Sequence, residues 1–317
     1  MTIDRISTAQ QSAYYLSQIN KAGAALDKTN QQIASGVVSS TYAGFGTSAQ
    51  VLQATISANA RNTAYQTATT LATTQADTQD TQLTQLSSLA SQLQTAVSNA
   101  VANNDPTTLM SQAQSIFDQA VSILNSKDSN GNYIYGGGNT ASAPVTVDSL
   151  SDLASLSDVS DAFANGDVKQ SVQVSDGQTV TYGLTASDVA SGLMQSLKDI
   201  AGFDAGPDGD FDDTTTGLTD AQNSFLSGQI TTLTKVNSDL NTVTAQNGYA
   251  YDALQNAASQ QSSMATLYSG FISQVQDTNM ADAASQLSLN QTALQAALEV
   301  TSSLGQLSLL NYLPAGS

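Results

Sequence analysis

The stretch that decides the fold is LSQINKAGAALDKTNQQIASGV, Leu16 to Val37. Leu16, Gly23, Asn30 and Val37 recur every seven residues, and so do Ile19, Leu26 and Ile33. Together they alternate three- and four-residue steps along one face of a helix, the spacing of a coiled-coil seam. Gly23 and Asn30 weaken such a seam, because small or polar residues bury little there. They can still fix register, so the spacing predicts a helix that depends on partners.

Working outward, SSTYAGFGTSA (Ser39 to Ala49) carries Gly44 and Gly46 and reads as a break. A second long helix is expected from about Val51 to about Val101. Its back half carries the stripe Leu86, Ala90, Leu93, Val97 and Val101, while its front half is mostly Thr, Gln and Ala. Threonine is a mediocre helix former, so that half needs neighbours on more than one side. Asp105 and Pro106 read as an N-cap and first helical position, opening a helix that runs to about Asn125. From Ser126 the character becomes turn-rich. Val172 and Val174, then an Asp-Gly turn, then Val180 and Tyr182 predict a β-hairpin. A helix follows, and after it the acidic loop DAGPDGDFDDTTTG. From Leu218 the helical pattern returns to the end, with Met280, Ala284, Leu287, Leu294 and Leu298 at seam spacing.

The fold class is therefore mainly α. Long N- and C-terminal helices pair as an antiparallel coiled coil or helical bundle, around a smaller mixed α+β middle domain with a hairpin. The expected division is 1–40 with 275–317 as a terminal coiled-coil region, 41–125 with 218–274 as a long-helix bundle, and 126–217 as the middle domain. Near the C-terminus Leu304, Leu307, Leu309, Leu310, Tyr312 and Leu313 cluster ahead of a PAGS tail. An apolar chain end of this kind needs a cover, either the chain's other end or another copy.

Composition narrows the function. Of 317 residues, 40% are hydrophobic and only 6% aromatic, with no Trp. There are 26 acidic groups against 8 basic ones, a net charge of −18, which repels nucleic acid and anionic membranes. With no Cys and no His, the usual thiol and imidazole chemistry is missing. The opening MTIDRISTAQQ has no basic segment followed by an apolar one, so no cleaved signal peptide is expected. No run approaches the roughly 18 apolar residues of a membrane span. Asp208, Asp210 and Asp212 occupy the first, third and fifth places of an EF-hand loop. Asp213 stands where Gly is needed and Thr219 where a bidentate Glu is needed, so a solvated loop is the better reading. GGG at 136–138 lacks the Lys-Ser/Thr of a phosphate loop and reads as a turn. No cofactor and no metal is expected, and no catalytic group stands out.

The segment from Gln32 to Val97, with the basic-Asn pair Arg61-Asn62, resembles the N-terminal region of the flagellin family. Ile272 to Leu313 resembles that family's closing helix, with Asp277 to Ala283 at its start and Gln291 to Leu298 at its core. The likeness covers somewhat over half the chain. GNYIYGGGNTASAPV (Gly131 to Val145), LMQSLKDIAGFD (Leu193 to Asp204) and the LSLLNYL end are closer to the branch that joins hook to filament than to filament flagellin. Val145 after Pro144 and the PAGS tail depart from that branch.

The resemblance implies a structural protein, not an enzyme. It would be exported unfolded through the flagellar secretion channel and would lie outside the cell on the flagellum. Its implied partners are further copies in a helical tube, another hook-associated protein, flagellin and an export chaperone, with no nucleic acid and no membrane insertion. The expected self-assembly seam is Ile3, Ile6, Leu16, Ile19, Leu26, Ile33, Met280, Leu287, Leu294, Leu298, Leu304, Leu307, Leu310, Tyr312 and Leu313. Filament flagellin is the alternative, and an acidic calcium- or carbohydrate-binding module is the alternative of a different class.

Overall fold

A computed structural model describes residues 3–212 and 217–310, without the side chains of 3–9, 11 and 304–310. Among the described residues the regular structure is seven α-helices, one hairpin and two short 3-10 helices (Tyr42–Ser48 and Val159–Ala162): α1 Ile3–Ser35, α2 Ala49–Asn103, α3 Leu109–Leu124, α4 Leu150–Ser155, α5 Ala186–Asp204, α6 Asp220–Gln276 and α7 Met280–Leu310, with β1 Ser171–Ser175 and β2 Gln178–Thr181 between α4 and α5. The residues cluster into two compact units. The terminal unit is Met1–Ala60 with Met264–Ser317, and the central unit is Arg61–Ser263.

In the central unit, α2 and α6 run antiparallel. Asn62, Thr69, Ala76, Leu83, Ala90 and Val97 stand seven apart on α2. Ala72, Gln79, Leu86, Leu93 and Ala100 form the second row, and every one of these is buried. On α6 the matching row is Leu226, Leu233, Leu240, Asn247, Leu254 and Gln261, all buried. The coiled-coil seam thus extends through the Thr-rich front half of α2, where composition hides it. Within this helix the threonine hydroxyls are satisfied by donating back to the carbonyl four residues earlier, as Thr70 does to Gln66, Thr74 to Thr70 and Thr78 to Thr74. The helix itself is held by its packing on α6.

The seam changes character along its length. From Leu83 to Val97 it is aliphatic and joins one continuous core with α3, α4, α5 and the first part of α6. Towards Asn62 it turns polar, and cross-helix hydrogen bonds replace apolar area. Asn247 Nδ2 donates to the Ala76 carbonyl at 2.9 Å, and Asn62 Nδ2 to the Gln261 carbonyl at 2.8 Å. Gln261 Nε2 in turn donates to Thr69 Oγ1 and to the Val174 carbonyl of β1. That side chain ties the hairpin to both long helices. Val172 and Val174 then bury against Ala72, Ala76 and Leu254.

The hairpin is antiparallel, as its alternation predicts, and Gly177 takes φ +76° in the turn. Tyr65 on α2 donates to the Asp176 carboxylate at 2.7 Å. That bond, before burial and the carboxylate's charge, holds the phenol's pKa above its ordinary value. Residues 126–217, expected as a middle domain, lie within the central unit and share its core. The acidic stretch after α5 is not wholly solvated. Phe211 is fully buried, stacks on Phe203, and donates its backbone N–H to the Asp204 carboxylate. Burial chiefly raises the pKa of that carboxyl, with the Phe211 bond opposing.

Two local expectations shift. Asp105 accepts from the Thr107 backbone and hydroxyl, so it caps a turn through Pro106, and α3 proper begins at Leu109. The C-terminal helical run is interrupted at 277–279. There Val38 donates to the Gln276 carbonyl and Thr278 to the Gly36 carbonyl, pairing this connector with the one after α1. Asn279 then caps α7 through the Ala281 and Asp282 amides. An uninterrupted helix would forfeit those bonds.

The polar half of the seam allows two opposed tests. Gln79 is fully buried and neither amide atom has a hydrogen-bond partner, so Gln79→Leu is expected to raise stability by about 1 kcal/mol in urea unfolding. Gln261→Ala removes two donated bonds and is expected to cost about 2 kcal/mol.

Candidate assembly surface

The terminal unit is built from α1, α7, the first turns of α2 and the last of α6. α1 ends at Gly36, whose φ of +72° and N–H bond to the Gln32 carbonyl form a left-handed C-terminal cap. The connector then makes a tight turn at 42–48. Gly46 there holds φ +55° and ψ −126°, a region open to Gly alone, and a Cβ on Gly44 would strike the Ser39 side chain.

α1 packs along α7 in antiparallel fashion. On α7 the row facing inward is Ala283, Leu287, Asn290, Leu294, Ala297 and Thr301, alternating steps of four and three. On α1 the deepest residue is Thr29, and Ile19, Leu26 and Ile33 are half-buried around it. Thr29 Oγ1 donates to the Ala25 carbonyl at 2.9 Å, and Asn290 Nδ2 donates to Thr29 Oγ1 at 3.0 Å. Asn290 Nδ2 also reaches the Ala25 carbonyl at 3.3 Å, and this polar contact favours one register, since a slip of α7 would take the Asn290 amide away from both acceptors.

The expected seam residues therefore divide. Ile19, Leu26, Ile33, Leu287 and Leu294 lie half-buried between the helices, whereas Leu16, Met280 and Leu298 are exposed at 58%, 51% and 50%. Asn30, taken from its spacing as a seam position, is exposed, and its neighbour Thr29 is inside. Thr29 and Asn290 escape sequence reading because small and polar residues fill this face, so periodicity fixes the repeat but not its phase. Ile3, Ile6, Leu304, Leu307 and Leu310 belong to the helices, but their side chains lie outside the described residues, as do Tyr312 and Leu313 altogether.

What this unit lacks is an interior. Among the described residues its fully buried apolar side chains are Leu52 and Ala283, all others belonging to the central unit. It nevertheless holds eleven of the fourteen exposed large apolar side chains among the described residues, including Tyr14, Phe271, Leu289 and Val300. A groove of mixed character opens on the same unit, with Tyr42, Phe45, Leu52 and Ile56 beside the hydroxyls of Ser39, Ser40 and Thr41. Because such an exposed Leu or Phe is already about half covered, burying the rest would contribute roughly 1 kcal/mol each to an assembly.

Other chemistry is sparse. Among the described residues no three His, Cys, Asp or Glu side chains converge as a metal site would need. No described helix is long and apolar enough to cross a membrane. If the Thr29–Asn290 pair pins the register, Thr29→Val should lower hydrogen-exchange protection of residues 22–33 by about tenfold, near 1.4 kcal/mol.

No protein-family model and no curated protein matches the chain. Solved structures do. One, assigned as a flagellar hook-associated protein of Vibrio parahaemolyticus, superposes with a TM-score of 0.59 at 16% identity, over 72% of this chain and 97% of that one. FlgL of Xanthomonas campestris gives 0.56 at 12% identity, over 68% and 98%, and FlgL of Bacillus cereus 0.50 at 13%, over 69% and 96%. The chain thus has the fold of the solved flagellar hook-associated proteins.

Proposed function

We propose that the chain is a structural subunit of the bacterial flagellum that joins hook to filament, as a protein of the FlgL type (hook-associated protein 3). The observation that carries this reading is the terminal unit. Its helices are paired in a fixed register, yet they leave their large apolar side chains outside and build almost no core. A unit of that kind is completed by neighbours. In this reading the mechanism is mechanical, and the parts are helices and contacts in place of catalytic groups.

The exposed members of the expected seam, Leu16, Met280 and Leu298, would meet adjacent copies in a helical tube, together with Leu304, Leu307, Leu310, Tyr312 and Leu313 at the chain end. Ile19, Leu26, Ile33, Leu287 and Leu294 would hold α1 to α7 within each copy. Ile3 and Ile6 would extend that pairing. The proposed partners are further copies, another hook-associated protein below, flagellin above, and an export chaperone before assembly. The proposed location is outside the cell on the flagellum, reached through the flagellar secretion channel. A terminal unit with little core of its own and the absence of cysteine suit passage as an unfolded chain.

Leu289→Asp and Leu298→Asp place charge where the chain alone already exposes the side chain, so folding should be unchanged within about 0.5 kcal/mol. Both variants are expected to leave cells with hooks that shed flagellin into the medium, the phenotype also expected of a deletion strain. Full-length filaments on either variant, seen by electron microscopy, would overturn the reading.

A further inference from the structure

Charge is divided between the units as unevenly as apolar surface, and in the opposite sense. The terminal unit carries five acidic and three basic side chains, a net of −2 over 114 residues. The central unit carries 21 acidic and five basic ones, a net of −16. Internal pairing neutralises little of this. Among the described residues the ion pairs are Lys169–Asp188 and Lys235–Asp239, both in the central unit. Nor does the fold gather the carboxylates into one site. Asp77 and Asp80 lie on α2, Asp148 and Asp167 on the connections, Asp208 after α5 and Asp252 on α6, and all six are exposed. The charge is a property of the whole unit's surface, which gives it long reach in dilute salt and short reach in concentrated salt.

We propose that the central unit is an electrostatic brake on self-association. Copies would meet through the nearly neutral, apolar terminal unit, while their central units repel until counterions screen them. This rests on the assembly reading above and adds its control. The partner is a second copy of this chain. A nearly neutral face has no charge complementarity to offer a basic protein, whereas it can meet its own image without electrostatic cost. Repulsion between central units then sets how much salt, or how high a local concentration, association requires. The same brake would keep free copies apart in dilute solution despite eleven exposed large apolar side chains.

Sedimentation velocity of the full chain tests this at about 10 mM and about 300 mM sodium chloride, where the Debye length falls from about 30 Å to about 6 Å. Association should strengthen at least about tenfold across that range. Three proteins are compared: the natural chain, the chain with Leu298→Asp, and a chain carrying Asp77→Asn, Asp80→Asn, Asp148→Asn, Asp167→Asn, Asp208→Asn and Asp252→Asn. Circular dichroism confirms equal helicity in all three. The six-fold asparagine variant should associate already in low salt, with a flattened salt dependence. Salt-independent association of the natural chain would overturn the brake, as would an asparagine variant that follows the natural chain through salting-out. If Leu298→Asp still abolished association in either case, assembly through the terminal unit would stand. Absence of association at both salts, or association indifferent to Leu298→Asp, would overturn the assembly reading and the brake together.

Discussion

The seven-residue recurrence of small and apolar side chains on antiparallel helices is the constraint from which the rest of this molecule follows. Two helices of more than fifty residues, α2 and α6, are held face to face by rows in which each buried position is succeeded seven residues later by another. A lone pair of helices buries only a narrow strip, so such a seam is stable where something widens it. Between Leu83 and Val97 the widening comes from α3, α4 and α5, which convert the strip into a core. Towards Asn62 it comes from the hairpin, fastened by the Gln261 amide. In the terminal unit no element among the described residues supplies it, and the apolar side chains remain outside.

Polar residues within these seams are specifiers. Aliphatic rows alone permit a slip by one heptad, because each step looks like the last. Asn290 on Thr29, Asn247 on the Ala76 carbonyl and Asn62 on the Gln261 carbonyl each make a bond that exists in one register only. The cost is visible in the unpartnered Gln79 amide and in the Asn247 and Gln261 oxygens. Buried amides of this kind trade stability for uniqueness. That exchange suits a long helical pair whose ends must present side chains at fixed positions to something else.

The unequal distribution of core, apolar surface and charge gives the two units different physical characters. The central unit folds around its own interior and carries nearly all of the net charge, which in the proposed brake would keep it apart from its copies. The terminal unit has the reverse composition. Proteins that must remain separate before assembly and hold firmly after it meet conflicting demands on one surface, and assigning each demand to its own unit resolves the conflict.

Much of this was legible in the residues. The helical class, the breaks at Gly44–Gly46 and Asp105–Pro106, and the Val-Asp-Gly-Val hairpin follow from local chemistry, since backbone freedom, capping and alternation are decided within a few residues. Charge and the missing cysteine and histidine were equally plain. The phase of the seams was not. Asn30 and Thr29 are equally plausible by spacing, and Thr69 or Gln79 on α2 look like solvent-facing residues until the partner helix is in place. Which side of a helix is inside depends on what arrives from two hundred residues away, as Gln261 does at Thr69. The same holds for the break at 277–279, whose amides are satisfied by the chain near Val37. The sequence by itself determined the repeat, the turns and the charge, because those are short-range properties. Only the tertiary structure decided which residues of the repeat face inward and which unit is left without a core, because burial is a relation between distant segments.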